Sequence, residues 1–353
     1  MASISGNLAS AAIKRAGTWG TAVAVGSGNR LRAKITDTQE VQKLVADTIG
    51  SGRIMAADGT IGNTIPRVSL EMQPGYRNNF DVLLALFLGT SASPGTEITA
   101  SQGDYLHKPQ VNTTLDAGGY ATLAWETSTT TVKELVTAAV TSFGISFPSI
   151  PGFPVATFEL LGDQIKYSST ENDNSEIQAA TFTEGNPELI TCAFVDTFWV
   201  DDQSTGALAS GDLYSIVGYD LSLDRPHEIR AEIKGSAGNS APVSGGDMTG
   251  TVTVDIKTLA DHTWYTVWAA ETAKKSRLSM EGSAIGTGVN KRFTILLPRM
   301  KLLDAPNAPL TSPGYIPLTL TFDLFDAVTA PTGMDSAFPH FEIVNTLSTS
   351  LVA

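Results

Sequence analysis

Apolar and polar residues alternate along most of this chain. The segments "RLRAKIT", "RVSLEM", "YATLAW", "SFGISF", "GTVTVDI", "RFTILL" and "LTLTFDLF" all repeat with period two. Successive side chains on a strand point to opposite faces, so this pattern predicts half-buried antiparallel strands. Gly, Ser, Thr and Pro fall between the runs, and the expected class is mainly β.

Three segments carry helical signals instead. In "DTQEVQKLVADTIG", Asp37 with Glu40 three residues on has the form of a capping box. Val41, Leu44, Val45 and Thr48 follow at helical spacing, and Gly50 stops the run. "NNFDVLLALFLG" predicts a helix from an Asn cap to Gly89. "DHTWYTVWAAETAKK" predicts a third, with Trp264, Val267, Trp268 and Glu271 on one face. Helices scattered among strands predict sheets with a helix packed on each. Two long polar loops, 46–64 and 234–249, precede strands, and loops of that length inside compact domains are usually functional or disordered.

The pattern occurs twice. "PGFPVATFELLGDQ" at 151–164 reappears as "PGYIPLTLTFDLFDA" at 313–327, with Thr157-Phe158-Glu159-Leu160 matching Thr321-Phe322-Asp323-Leu324 at an offset of 164. Upstream, Val68-Ser69-Leu70-Glu71-Met72 matches Val252-Thr253-Val254-Asp255-Ile256 at an offset of 184. Each half reads strand, long loop, strand, helix, strand, turn, strand. The 20-residue difference in offset is within what loop-length changes absorb. The expected organisation is two tandem β lobes, 1–195 and 196–353, each with a flanking helix and a long inter-strand loop. Exchange of strands between the lobes stays open. Two similar lobes in one chain are a device for pseudo-symmetric assembly.

Composition narrows the classes. Of 353 residues, 42% are hydrophobic and only 17% charged, below the ~25% usual in soluble proteins. That balance points to contact with other chains. The net charge of −13 gives no electrostatic footprint for binding nucleic acid. The charge is uneven. Residues 159–202 hold ten acids against Lys166, and 274–301 hold seven bases against Glu281. Complementary contact between copies is one expectation, with Glu171, Asp173, Glu176, Asp201 and Asp202 facing Lys274, Lys275, Arg277, Lys291 and Arg292; two ordinary solvated faces are the other.

The N-terminus lacks the basic start and apolar run of a secretory signal, and position 2 is not Gly. The longest apolar run, 82–88, is too short to span a bilayer, so a soluble protein made in the cytoplasm is expected. Cys192 is the single cysteine and reads as a buried structural thiol.

Signals for catalysis are weak. His107, His227, His262 and His340 show no metal-ligand spacing. No Gly-Lys dipeptide exists for a phosphate loop, and no G-x-S-x-G elbow appears. "ENDNSE" at 171–176 lacks the Gly and distal Glu of a calcium loop and reads as a polar loop. Carboxylates are abundant, but no pair stands out for hydrolysis. Trp19, Trp125, Trp199, Trp264 and Trp268 could suggest a sugar platform, but three of them fall on predicted strands or a predicted helix, where core packing is favoured. No catalytic, cofactor or metal residues are assigned.

Taken in order, several stretches resemble the tail tube proteins of long-tailed bacteriophages. "AGTWGTAV" at 16–23 is similar to their start, and "MTGTVTVDI" at 248–256 to the strand before the tube helix. "FTILLPRMKLLDA" at 293–305 is similar to a late strand, and "IPLTLTFDLFDA" at 316–327 to the last. The resemblance implies packed antiparallel sheets with a flanking helix, in a non-enzymatic major subunit of the virion tail. Its rings would stack around a channel that passes DNA without specific binding. It also implies partnership with a tape measure protein and with terminator and tip proteins, no cofactor and no membrane. Single-lobed members form hexameric rings, so two lobes imply a ring of three copies, with a hexamer as the alternative. The long inter-strand loops of the family reach the adjacent ring, and that role falls by position on Gly50, Gly52, Asp58 and Gly59, and on Gly235, Gly238, Gly245 and Asp247. No immunoglobulin-like decoration is expected, because only a short tail follows Ala327. Other expectations are a capsid decoration or tail-completion protein, and a carbohydrate-binding β domain.

Overall fold

A computed structural model describes residues 10–45, 59–89, 95–112, 119–147, 152–167, 171–182, 184, 187–191, 195–229, 239–256, 262–306 and 318–352. In chain order the longer elements are β1 (Ala11–Ala16), β2 (Lys34–Val45), β3 (Gly59–Met72), α1 (Phe80–Leu88), β4 (Tyr120–Ser128), β5 (Thr131–Ser146), β6 (Val155–Gly162) and α2 (Asn174–Ala179). There follow β7 (Val195–Asp202), β8 (Ile216–Asp224), β9 (Thr249–Ile256), α3 (Thr263–Ala269), β10 (Lys274–Gly286), β11 (Val289–Leu302), β12 (Leu318–Leu324) and β13 (His340–Asn345).

Every pairing among the described strands is antiparallel, and the same order of neighbours occurs twice. In the N-terminal half it runs β1, β4, β5, β6, β3, β2. In the C-terminal half it runs β7, β10, β11, β12, β9, β8. The two halves join at a seam where residues 220–224 of β8 pair with 142–146 of β5, and again where 343–345 of β13 pair with 105–107. The result is one large open sheet with no closed barrel among the described strands.

The predicted period-two segments lie on strands, and their alternation has the expected cause. In β9 the burial alternates as Val252, Val254 and Ile256 turn inward, and in β6 Ala156, Phe158 and Leu160 do the same. The core is continuous across the seam. Phe80 of α1 packs edge-on to Phe293 of β11 at 5.3 Å, and Phe143 of β5 meets Phe341 of β13 at 5.6 Å. Each such aromatic contact adds about 0.5–1.5 kcal/mol beyond area burial.

Helix α1 ends as predicted, with Gly89 at φ 69° and its N–H turned back to Ala85 and Leu86. Its start is less simple. Asn78 Oδ1 accepts from Phe80 N at 3.3 Å, while Asn79 is left-handed at φ 68° and donates to Gly28 O and Arg30 O. The third predicted helix is shorter than its pattern, covering only Thr263–Ala269 before β10 begins at Lys274.

Four expectations are corrected. Residues 37–45 form strand β2, not a helix, because β3 lies alongside and supplies a full antiparallel ladder from Lys34↔Glu71 to Val45↔Gly59. Asp37 caps nothing there and instead accepts from Lys133 Nζ at 2.8 Å. "ENDNSE" is no mere loop, since Asp173 and Glu176 close a capping box at the start of α2. The residues after Ala327 include β13, which pairs with β11 and with the short strand Tyr105–His107 of the other half. The strand repeat is offset by 162, not 164: Leu160 faces Val68 where Phe322 faces Val252. A two-residue shift keeps every side chain on its face, so alternation alone could not reveal it.

Candidate assembly interface

The sheet has an exposed edge at β2. Among the described residues, β2 pairs with β3 and with no other strand. The far edge of β3 is covered by β6 only over residues 67–72. Residues 39–45 and 59–66 therefore form a two-stranded arm beyond the sheet, about 23 Å long at ~3.3 Å per residue. A two-stranded ribbon is at best marginally stable in water, and an unpaired edge is a template for another chain.

The seam shows what an occupied edge looks like in this fold. Strand β8 is the counterpart of β2, and it adds to β5. Just past the ladder, Arg225 N donates to Thr141 O at 2.7 Å. The buried Arg225 guanidinium donates to Phe87 O at 3.1 Å and Asn112 O at 2.7 Å. Phe87 lies in the last turn of α1, where carbonyls lack helical partners and the helix dipole is negative. The chain then runs on to Asn239, buried against the N-terminal half. Its Nδ2 donates to Thr64 O at 3.0 Å and Asp163 O at 2.5 Å, its N–H to the Asp163 carboxylate, and its carbonyl accepts from Trp19 Nε1 at 2.8 Å. Neither Arg225 nor Asn239 was singled out by the sequence. The Arg-Pro after the alternation of β8 was the available signal.

The loop residues expected to contact other copies divide. Gly50, Gly52, Asp58, Gly235 and Gly238 lie outside the described residues, as does Cys192. Gly59 opens β3 opposite Val45. Gly245 N donates to Pro226 O at 2.9 Å, beside a two-rung ladder of His227–Glu228 with Val243–Ser244. Asp247 lines an open cavity of about 490 Å³ at the end of the C-terminal half.

The charged candidates are engaged within one chain. Hydrogen bonds from Ser175, then Glu176, hold the Asp173 carboxyl down at about 2. Asp201 accepts from Thr205 Oγ1, and Asp202 meets Lys274 at 2.5 Å. Lys291 bridges Glu184 at 3.3 Å and Glu188 at 3.4 Å, while Arg292 reaches Glu342 at 3.8 Å. Arg277 stacks on the Trp199 ring at 3.6 Å, its direct cross-strand neighbour. Lys275 is fully buried, with Nζ donating to Thr205 O at 2.9 Å and Gly206 O at 2.5 Å. Glu171 is exposed. Within one copy, the acidic and basic segments meet at Asp202–Lys274, Glu184–Lys291 and Glu188–Lys291.

His107 and His340 are buried, and burial lowers both below the usual imidazole range. Each bonds a backbone carbonyl, His107 that of Leu347 and His340 that of Phe338. Trp125 and Trp264 are buried, while Trp268 is exposed. No described helix is long and apolar enough to cross a membrane.

A comparison with curated proteins finds no match. A comparison with family profiles finds one described as phage tail tube protein, matching residues 6–324. That span takes in both strand series, the seam and the open edge, and so the chain belongs to the phage tail tube protein family, the structural proteins of the virion tail.

Proposed function

We propose that three copies of this chain form a pseudo-sixfold ring, and that rings stack into the tube through which phage DNA passes. One observation carries the ring of three: the chain already contains, at β5·β8, one junction between two like strand series. Its outer counterpart, the β2 edge, is paired with no second strand among the described residues. Six like junctions, three within chains and three between them, close a ring of three chains and leave no β2 edge free.

The acceptor for β2 is read from the same repeat. Offset by 162, the stretch of β5 that receives β8, 142–146, corresponds to 304–308, of which 304–306 are described and follow Leu303, a residue 50% exposed. The lobes 1–195 and 196–353 are the repeating units, with Tyr105–His107 and β13 tying them together. A net charge of −13 suits a channel that must not hold the phosphate backbone. The tips of the loops that continue β2 and β8, around Gly50 and Gly52 and around Gly235 and Gly238, are assigned the contacts between rings. A tape measure protein in the channel and terminator and tip proteins at its ends complete the tail.

Negative-stain microscopy of concentrated protein tests this reading. Stacked rings are expected, and particles that stay single copies at every concentration contradict it.

A further inference from the structure

The arm of β2 and β3 has a counterpart in the other half, and the counterpart is seated. Glu40 faces Ile65 across the β2–β3 ladder, and Asp224 faces Thr249 across β8–β9. Twenty-four residues separate the members of each facing pair, 41–64 in one half and 225–248 in the other. Both stretches return as hairpins, since His227–Glu228 pairs with Val243–Ser244 where Lys43 and Leu44 pair with Ile61 and Thr60. The rungs differ by one residue, because a register shift between Val41 and Lys43 sets Lys43 opposite Ile61 rather than Thr60. With equal lengths, the offset of 184 still aligns Met55 with Asn239 in sequence, Met55 itself lying outside the described residues.

Asn239 fills a defined place. It bonds Thr64 and Asp163, at the ends of β3 and β6 in the N-terminal half. The counterparts of Thr64 and Asp163 are Met248 and Phe325. Those two residues line the cavity of about 490 Å³, together with Leu223, Gly250, Leu324 and Phe338. One site is thus written twice. In the N-terminal half it is filled by the other half's arm, and in the C-terminal half it is open. Phe325 is 45% exposed there. The chemistry of the two sites differs. Asn239 meets a carboxylate and carbonyls, whereas the open cavity, whose counterpart occupant in sequence is the apolar Met55, is lined mainly by Leu, Met and Phe, with the carboxylates Asp247 and Asp326 beside them.

We propose that this cavity receives the β2–β3 arm of a second copy of the chain, its neighbour in the ring. The inference rests on the ring of three and adds to it a specific contact, made within the ring and distinct from stacking.

Cross-linking tests it. In a Cys192→Ser background, Met55→Cys and Phe325→Cys are combined in the full-length chain, assembled, and treated with a short bis-maleimide. Isolated rings are expected to give species ending at three linked chains, with neither single-cysteine variant doing so. Rings of three that stay unlinked overturn the arm contact and leave the ring reading standing. Linkage only in stacked tubes, in ladders longer than three, overturns it too by assigning the arm to the next ring. Particles that remain single copies overturn both. Phe325→Asp gives an independent check at an exposed position. Melting of the single chain should be unchanged, while ring yield falls at least about tenfold, the effect of ~1.4 kcal/mol per contact. Unchanged ring yield contradicts the proposal.

Discussion

Asp255 and Thr319 face each other across β9 and β12, and the Thr319 hydroxyl donates to the Asp255 carboxylate at 2.6 Å. On the other side of the rung stands Gly218 of β8. The same rung in the N-terminal half reads Lys34, Glu71, Thr157, with Lys34 Nζ 3.3 Å from Glu71. An acid flanked by threonine thus holds one position in both strand series. The outer residue differs in kind, lysine at the open edge and glycine two residues before the seam. A Cβ on Gly218 would come 2.5 Å from Asp255 Oδ2 and 3.2 Å from its Cβ. Gly218→Ala is therefore expected to turn the carboxylate away from Thr319 and cost about 1 kcal/mol, read by urea denaturation. A neutral result would mean that the carboxylate moves aside freely.

Arg225 holds the seam. Its guanidinium satisfies two carbonyls of the N-terminal half, at Phe87 and Asn112. Arg225→Ala leaves both without that donor and is expected to destabilise by about 2–4 kcal/mol. Arg225→Lys should recover little, because an ammonium lacks the planar fork that reaches two acceptors. Full recovery by lysine would show that charge alone is needed.

Lys275 is a second buried cation, bonded to the carbonyls of Thr205 and Gly206 and, at 3.5 Å, Thr332. Lys275→Met keeps the apolar stem but strands these acceptors. A loss of roughly 2–4 kcal/mol is expected in thermal unfolding. A melting temperature equal to that of the parent would contradict this role.

The buried Asp81 makes stability depend on pH. Burial away from water pushes its carboxyl up to about 6, against the opposing pull of Arg77. The folded chain therefore binds this proton more tightly than the unfolded chain, whose carboxyl titrates near 3.9. Its contribution is fully present below that value and lost as pH rises through 6. Asp81→Asn should thus raise stability by of order 1–3 kcal/mol at pH 8 and change little at pH 4, measured by denaturant titration at both. Parallel pH profiles for variant and parent would contradict the assignment.

Much of the fold was legible because alternation reports directly on burial. The inward sets Val252, Val254, Ile256 and Ala156, Phe158, Leu160 follow from period two alone. The misread β2 shows the limit. Val41, Leu44 and Val45 fit a helical spacing as well as a strand, and the deciding partner, β3, lies across a loop. Register was hidden for a related reason, since a slip of two residues leaves the pattern intact. The charge blocks were visible, but their pairing inside one chain, as in Lys291 with Glu184, depends on how β11 lies against the 184–188 stretch. Arg225 and Asn239 were illegible because the partners of their side chains are backbone carbonyls, which carry no sequence signal.

The number of chains in one ring decides the matter most directly. Native mass spectrometry of isolated rings should give three chains of 37.2 kDa, and averaged end-on images should show six similar lobes with threefold symmetry. Six chains in a ring would contradict the use of the internal β5·β8 junction as the pattern for the junction between copies.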